Sequence, residues 1–154
     1  MASIGNQILV AVAAALTAHA AKPAGTTVHR DYMRAFEAET LPAAVVYWGG
    51  ELPEDRASAR VDMRQTMIVE LRLVVPAGTV PDDFVDPFKV WIVKAVMADE
   101  GFGGLASMTT YIGGTPVHTE EDKRYAAIAF EFVTLHQQQE GALKARQGIY
   151  RSRR

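Results

Sequence analysis

Few residues of this 154-residue chain combine the types and the spacing that chemistry requires. The densest set of metal-binding side chains is His118-Thr119-Glu120-Glu121-Asp122. Its imidazole and carboxylates are suitable ligands, but their spacing matches neither a zinc site nor a calcium-binding EF-hand loop. The simpler reading is a solvated loop leading into a strand. His19, His29 and His136 lie far apart and share no motif. The glycines of Gly101-Phe102-Gly103-Gly104 suggest a phosphate cradle, yet such cradles follow a strand and open a helix. Here they follow a segment with helical periodicity, no Gly-Lys-Ser/Thr accompanies them, and they read as a helix stop. Ser107 stands outside any G-x-S-x-G elbow. Asp82, Asp83 and Asp86 are close enough to work as paired acids, but a place at the start of a helix already accounts for them through its dipole. With no cysteine in the chain, disulfides, thiolate zinc sites, iron–sulfur clusters and a cysteine nucleophile are excluded. The expectation is therefore no catalytic residue, no cofactor and no metal.

The elements that would position any site follow from the apolar pattern. Residues 8–16 with Ala18-His19-Ala20 look like a signal core and cleavage site, but no Lys or Arg precedes them. An amphipathic helix capped by Ser3, with Ile4, Ile8, Leu9, Val12 and Leu16 on one face, is the better expectation. The run is too short and too interrupted to span a membrane. Residues 26–40 are ambiguous between helix and extended chain. Residues 43–48 (AAVVYW) read as a buried strand closed by Gly49-Gly50. Residues 61–75 alternate, with Val61, Met63, Met67, Val69, Leu71, Leu73 and Val75 on one face and Asp62, Arg64, Thr66, Glu70 and Arg72 on the other. That length exceeds the usual strand and predicts a bend or a projecting hairpin. A helix is expected from about 83 to 99, with Phe84, Phe88, Trp91, Ile92, Ala95 and Val96 as its core stripe. Val90, Val93 and Met97 add a second apolar patch, suited either to a partner or to the chain's own loops. Strands over 105–112 and 124–136, joined by a polar loop through Gly113 and Gly114, complete the set. This order predicts a single α+β domain over residues 1–136, an antiparallel or mixed sheet of about four strands flanked by helices.

Composition supports one soluble-type core, with 49% hydrophobic and 22% charged residues. The net charge of −2 conceals a polarity: residues 137–154 form a basic extension of local charge +4, leaving −6 on the rest. Lys144, Arg146, Arg151, Arg153 and Arg154 are its cations, with Ile149 and Tyr150 among them. Such a segment cannot build a core alone and suits an acidic protein surface or nucleic acid.

Taken in order, Leu41-Pro42-Ala43-Ala44-Val45-Val46-Tyr47 with Gly50-Glu51, Val69-Glu70-Leu71-Arg72-Leu73, Val90-Trp91-Ile92-Val93-Lys94-Ala95-Val96-Met97, Gly103-Gly104-Leu105 and Ala126-Ala127-Ile128-Ala129-Phe130-Glu131-Phe132 resemble the tail terminator (tail completion) proteins of tailed bacteriophages over about residues 4–136. The resemblance implies a structural virion protein, assembled in the host cytoplasm as a homohexameric ring on the tail tube. It implies tail tube protein, a head–tail connector or neck protein and, in a contractile tail, sheath protein as partners, with DNA passing through the lumen and no membrane. A ring of this kind needs two different patches that meet between neighbours. The expected contacts are Met67, Val69 and Leu71 on the long strand, Val90, Val93 and Met97 on the helix, and the cations of the extension. The alternatives are another neck adaptor ring, and a small bacterial enzyme or ligand-binding domain.

Overall fold

The computed structural model describes residues 2–33, 41–57, 60–120 and 124–139. Two helices lie on one face of a five-stranded mixed sheet in the chain order α1 (Ile4–Ala18), β1 (Thr27–His29), β2 (Ala43–Ala57), β3 (Arg60–Val74), α2 (Pro81–Met97), β4 (Met108–Glu120) and β5 (Tyr125–Gln139). The spatial order is β1-β2-β3-β5-β4. Only β1 runs parallel to its neighbour, and the other three pairings are antiparallel. The α+β class is as the pattern predicts, with five strands instead of about four. The added strand, β1, has three residues and falls in the stretch whose periodicity was ambiguous.

The alternation along β3 dictates this arrangement. Its odd-numbered residues, Val61 to Leu73, are all buried on the helix side, and β5 pairs with β3 through fifteen consecutive partners from Arg60–Gln139 to Val74–Tyr125. Met67 thereby sits beside Phe132 and Val69 beside Phe130, forming the floor of the core. The strand has no separate projecting end, because β5 accompanies it to the tip. Ile8, Leu9, Val12 and Leu16 of α1 and Phe88, Trp91, Ile92, Ala95 and Val96 of α2 close the core from above. Both helical stripes match their 3.6-residue spacing.

Local chemistry sets the ends of the helices. Ser3 caps α1, its Oγ accepting from Asn6 N at 3.1 Å. The buried Trp91 Nε1 donates to Leu16 O at 3.1 Å. That carbonyl belongs to the last turn of α1, where no intrahelical partner is left, so one bond satisfies both groups and joins the helices. Helix α2 begins two residues before the expected start because Pro81 occupies its first turn, where a missing N–H costs nothing. Asp82 and Asp83 lie in that turn and favour the dipole, but no side chain caps it.

Glycine pairs expected to end strands instead bend them. Gly49-Gly50 lies within β2 at a register shift between Trp48 and Glu51, and Gly50 has φ of 111°. Gly113-Gly114 lies within β4, beside a shift between Tyr111 and Gly113. These are β-bulges, in which an extra residue bends the strand without ending it. The turn after α2 stops the helix as expected. Asp99 accepts from Gly101 N and Gly103 N at 3.1 and 2.8 Å, while Gly103 and Gly104 take positive φ.

Gly5 shows how tightly α1 is seated. Gln65 is fully buried beneath it and donates from Nε2 to Gly5 O at 3.1 Å. A β-carbon at Gly5 would collide with Gln65 Oε1, and the Gln65 side chain, itself fully buried, would have to move and give up its bond to Gly5 O. Helix propensity alone would favour alanine by about 1 kcal/mol. We predict the opposite sign for Gly5→Ala, a loss of about 1–3 kcal/mol in urea unfolding, as expected for overpacking.

Candidate functional site

The residues nominated for chemistry stay apart. His118, Thr119 and Glu120 end strand β4, and the rest of that acidic run lies outside the described residues. Among the described residues there is no group of three His, Asp or Glu placed to hold a metal ion. Gly101–Gly104 forms the turn after α2, and Ser107 bonds through Oγ to Leu135 O at 3.0 Å. No described helix is long and apolar enough to cross a membrane.

The expected contact residues divide into three groups. Met67, Val69 and Leu71 are fully buried in the subunit's own core, which corrects their assignment to an interface. The two helices cover the face of β3 on which their parity places them, so they offer no surface to a neighbour. Val90 is 39% exposed on the outer side of α2, and Val93 and Met97 are half-buried, with Met97 packed on the core. Lys144, Arg146, Arg151, Arg153 and Arg154 lie outside the described residues. Strand β5 itself runs three residues past the expected domain end at 136.

Exposed large apolar side chains stand at both lateral margins of the sheet, and also at Val10 on α1, at Tyr32 and Met33 after β1, and at Val80 before α2. Strand β4 is an edge strand, and Met108, Ile112 and Val117 along it are each about half exposed. From Met108 to Val117 this edge carries no charged residue. At the opposite margin β1 covers only Ala43–Val45, and Arg30 Nε reaches Val46 O at 3.3 Å. Beyond that point, among the described residues, β2 has no outer partner, and Trp48 and Leu52 are 55% and 69% exposed. Edge strands normally carry charge, proline or bulges against unwanted pairing. Both edges here have bulges, β4 adds Pro116 and β2 adds Pro53 with Glu51 and Glu54, and both still expose large apolar side chains.

On the helix face near β4 lies a groove of about 280 Å3 between α2 and the β4–β5 hairpin. Val85, Tyr111, Pro116, Ala126, Ile128 and Phe130 give it apolar walls, and Asp82 and Lys89 stand in its lining. Asp82, Val85, Asp86 and Lys89 follow the spacing of one helical stripe. Asp82, read from sequence as a helix-start residue, therefore also lines a groove.

Two polar clusters escaped sequence reasoning. On the sheet face away from the helices, Arg72 Nε pairs with Glu70 Oε2 at 2.6 Å, and Tyr47 Oη donates to Glu70 Oε1 at 3.3 Å. Arg72 also donates to Tyr32 O at 3.1 Å, and the Tyr32 and Tyr47 rings stand 4.9 Å apart. The cluster fastens the chain after β1 onto the sheet. Burial, and then Glu70, raise the Tyr47 pKa above its ordinary value. The second cluster is buried on the helix side, where Gln65 and Thr134 are register partners and Met63 opposes His136. Gln65 Oε1, Thr134 Oγ1 and both ring nitrogens of His136 have no hydrogen-bond partner among the described residues. Alternation implies these positions face inward, but nothing in the sequence marks their polar atoms as unpaired.

No protein-family model matches the chain, and a search of curated proteins finds no relative.

Burial lowers the pKa of His136 below its ordinary value, so the unfolded chain binds this proton more readily than the folded one. The neutral imidazole therefore supports the fold fully above about pH 6.5, and that contribution is lost as pH falls below it. We predict that unfolding free energy falls as pH drops below 6.5, with a slope that stays below about 1.4 kcal/mol per pH unit, the limit for one proton. In His136→Leu that slope should flatten, measured by urea unfolding at pH 7.5 and 5.5. An unchanged slope would assign the proton uptake elsewhere.

Proposed function

We propose that this chain is the subunit of a ring that closes the head-proximal end of a phage tail tube and presents the surface to which the head connector binds. The observation that carries this reading is the pair of unlike margins. One chain exposes Met108, Ile112 and Val117 along β4 and, at the other side of the same sheet, Trp48 and Leu52 along β2. Two different patches on opposite flanks suit a heterologous contact, in which the β4 edge of one copy meets the β2 edge of the next. Such contacts either close into a ring or continue as a filament, and a tube terminator requires closure.

The order of sequence segments that resembles tail terminators supports the same reading. So does the α+β architecture, which is the fold class the resemblance implies. Work done by surfaces suits a chain in which several of the chemistry-bearing residues have a local structural task. Asp99 holds a turn, Ser107 bonds to β5, and Asp82 and Asp83 serve the dipole of α2.

Electron microscopy of the purified chain mixed with tail tubes tests the proposal. We expect a six-subunit ring at one end of each tube and an arrest of tube growth. Ile112→Lys with Val117→Lys should abolish the ring while leaving the subunit's unfolding midpoint nearly unchanged, since exposed substitutions cost within about 0.5 kcal/mol. Binding to filled heads with bare tubes left uncapped would instead identify a neck adaptor.

A further inference from the structure

We propose that the segment from Glu140 onward folds back over the helix-side face of its own sheet, where β2, β3 and β5 run past α1, and that Leu143 and the apolar residues after it close this end of the core. This holds whether or not copies of the chain form a ring.

Val61, Met63 and His136 are only 1%, 3% and 2% exposed. They share the helix side of the sheet, with Met63 opposite His136, yet Val61 and Met63 lie outside the core that α1 and α2 close. Helix α1 begins at Ile4 and sets Gly5 over Gln65. Met63 and Val61 lie two and four residues further along β3, about 7 and 13 Å beyond that point. Strand β4 begins at Met108, opposite Leu135, so no described strand flanks β5 from His136 onward. Register partners stand beside a side chain and not above it, and burying a sheet face takes a second layer.

Position along the fold selects that layer. Outside the described residues are Met1, 34–40, 58–59, 121–123 and 140–154. Residues 34–40 are anchored at the far end of the sheet, where Arg72 donates to Tyr32 O and pairs with Ala43. Arg72 is eleven residues from Val61 along β3, about 36 Å away. Seven residues held at both ends reach no further than about 14 Å. Residues 121–123 join β4 to β5 beside Tyr125, opposite Val74 and farther still. Ser58 and Ala59 join the paired Ala57 and Arg60 and carry one hydroxymethyl and one methyl group. Met1 is a single residue ahead of the exposed Ala2. The remaining fifteen residues start where β5 ends, at Gln139 opposite Arg60. Gly141 suits a reversal there. Leu143, four residues past Gln139, reaches up to about 14 Å. Back along β5 to His136 is about 10 Å. Ala142, Leu143, Ala145 and Ile149 supply the apolar cover, and Lys144 and Arg146 between them suit its solvent side.

The chain's own methionines report the cover. Mild peroxide oxidation of the purified full chain, followed residue by residue by mass spectrometry, reads access to each thioether. Met33 and Met108 are exposed and Met67 is fully buried, so they bracket the scale. We expect Met63 to oxidise as slowly as Met67. Leu143→Asp with Ile149→Asp should speed oxidation of Met63 at least tenfold and leave Met67 slow. Lys144→Ala with Arg146→Ala should change neither, because the cover is apolar. If the acidic pair unfolds the chain, seen as fast oxidation of Met67, Leu143→Ser alone is used with the same expectation. Fast oxidation of Met63 in the unaltered chain overturns the inference, as does slow oxidation in the acidic pair while Met67 stays slow. Protection of Met63 that disappears on dilution would assign the cover to a second copy and overturn it equally.

Discussion

The uninterrupted pairing of β3 with β5 is the constraint on which the rest of the structure depends. Fifteen consecutive partners leave no freedom in register, and a slip of one residue would turn Met67, Val69 and Leu71 to the wrong face together. With that register fixed, the helix face is specified: Phe130 and Phe132 join the odd-numbered residues of β3, and α1 and α2 must cover them. The two outer strands are then free to be irregular. The register shifts fall in β2 and β4, on the outer sides of the central pair, where a bend disturbs one ladder instead of two.

That division between a rigid centre and bent margins gives the proposed function its physical basis. The core consumes the strongest apolar signals in the sequence, so the proposed interface draws on part of what it leaves exposed: Trp48 and Leu52 at one margin, Met108, Ile112 and Val117 at the other. The margins differ in shape and composition, which favours joining unlike edges over pairing like with like. Charge enters as a second layer, with an acidic domain and a basic extension that attract between copies as readily as within one.

Periodicity made most of the fold legible. The stripes of both helices and the parity of β3 follow from residue types alone, because burial on one side imposes a period of 3.6 or 2. The glycine pairs were misleading for a physical reason: Gly49-Gly50 and Gly113-Gly114 satisfy a turn and a bulge equally well, and only pairing with a neighbouring strand distinguishes them. Arg124 was invisible in the sequence. Its positive φ and its bonds to Val75 O and Thr79 O, at 3.0 and 2.7 Å, tie the entry of α2 to β5 through residues about fifty positions apart. The interface suffered the converse error. Excess strand length drew attention to Met67, Val69 and Leu71, whereas an edge becomes visible only when the order of strands is known, and β4 lies outermost through a crossover no local pattern reveals.

The central claim is that the sheet margins are where copies meet. Hydrogen exchange of the chain, free and assembled on tail tubes, tests it most directly because unpaired edge amides exchange fast and paired ones slowly. The account predicts slowed exchange on assembly in β4 around 109–117 and in β2 around 48–54, with β3 and β5 unchanged. Unaltered exchange at both margins, with protection appearing only on the outer faces of the helices, would contradict it.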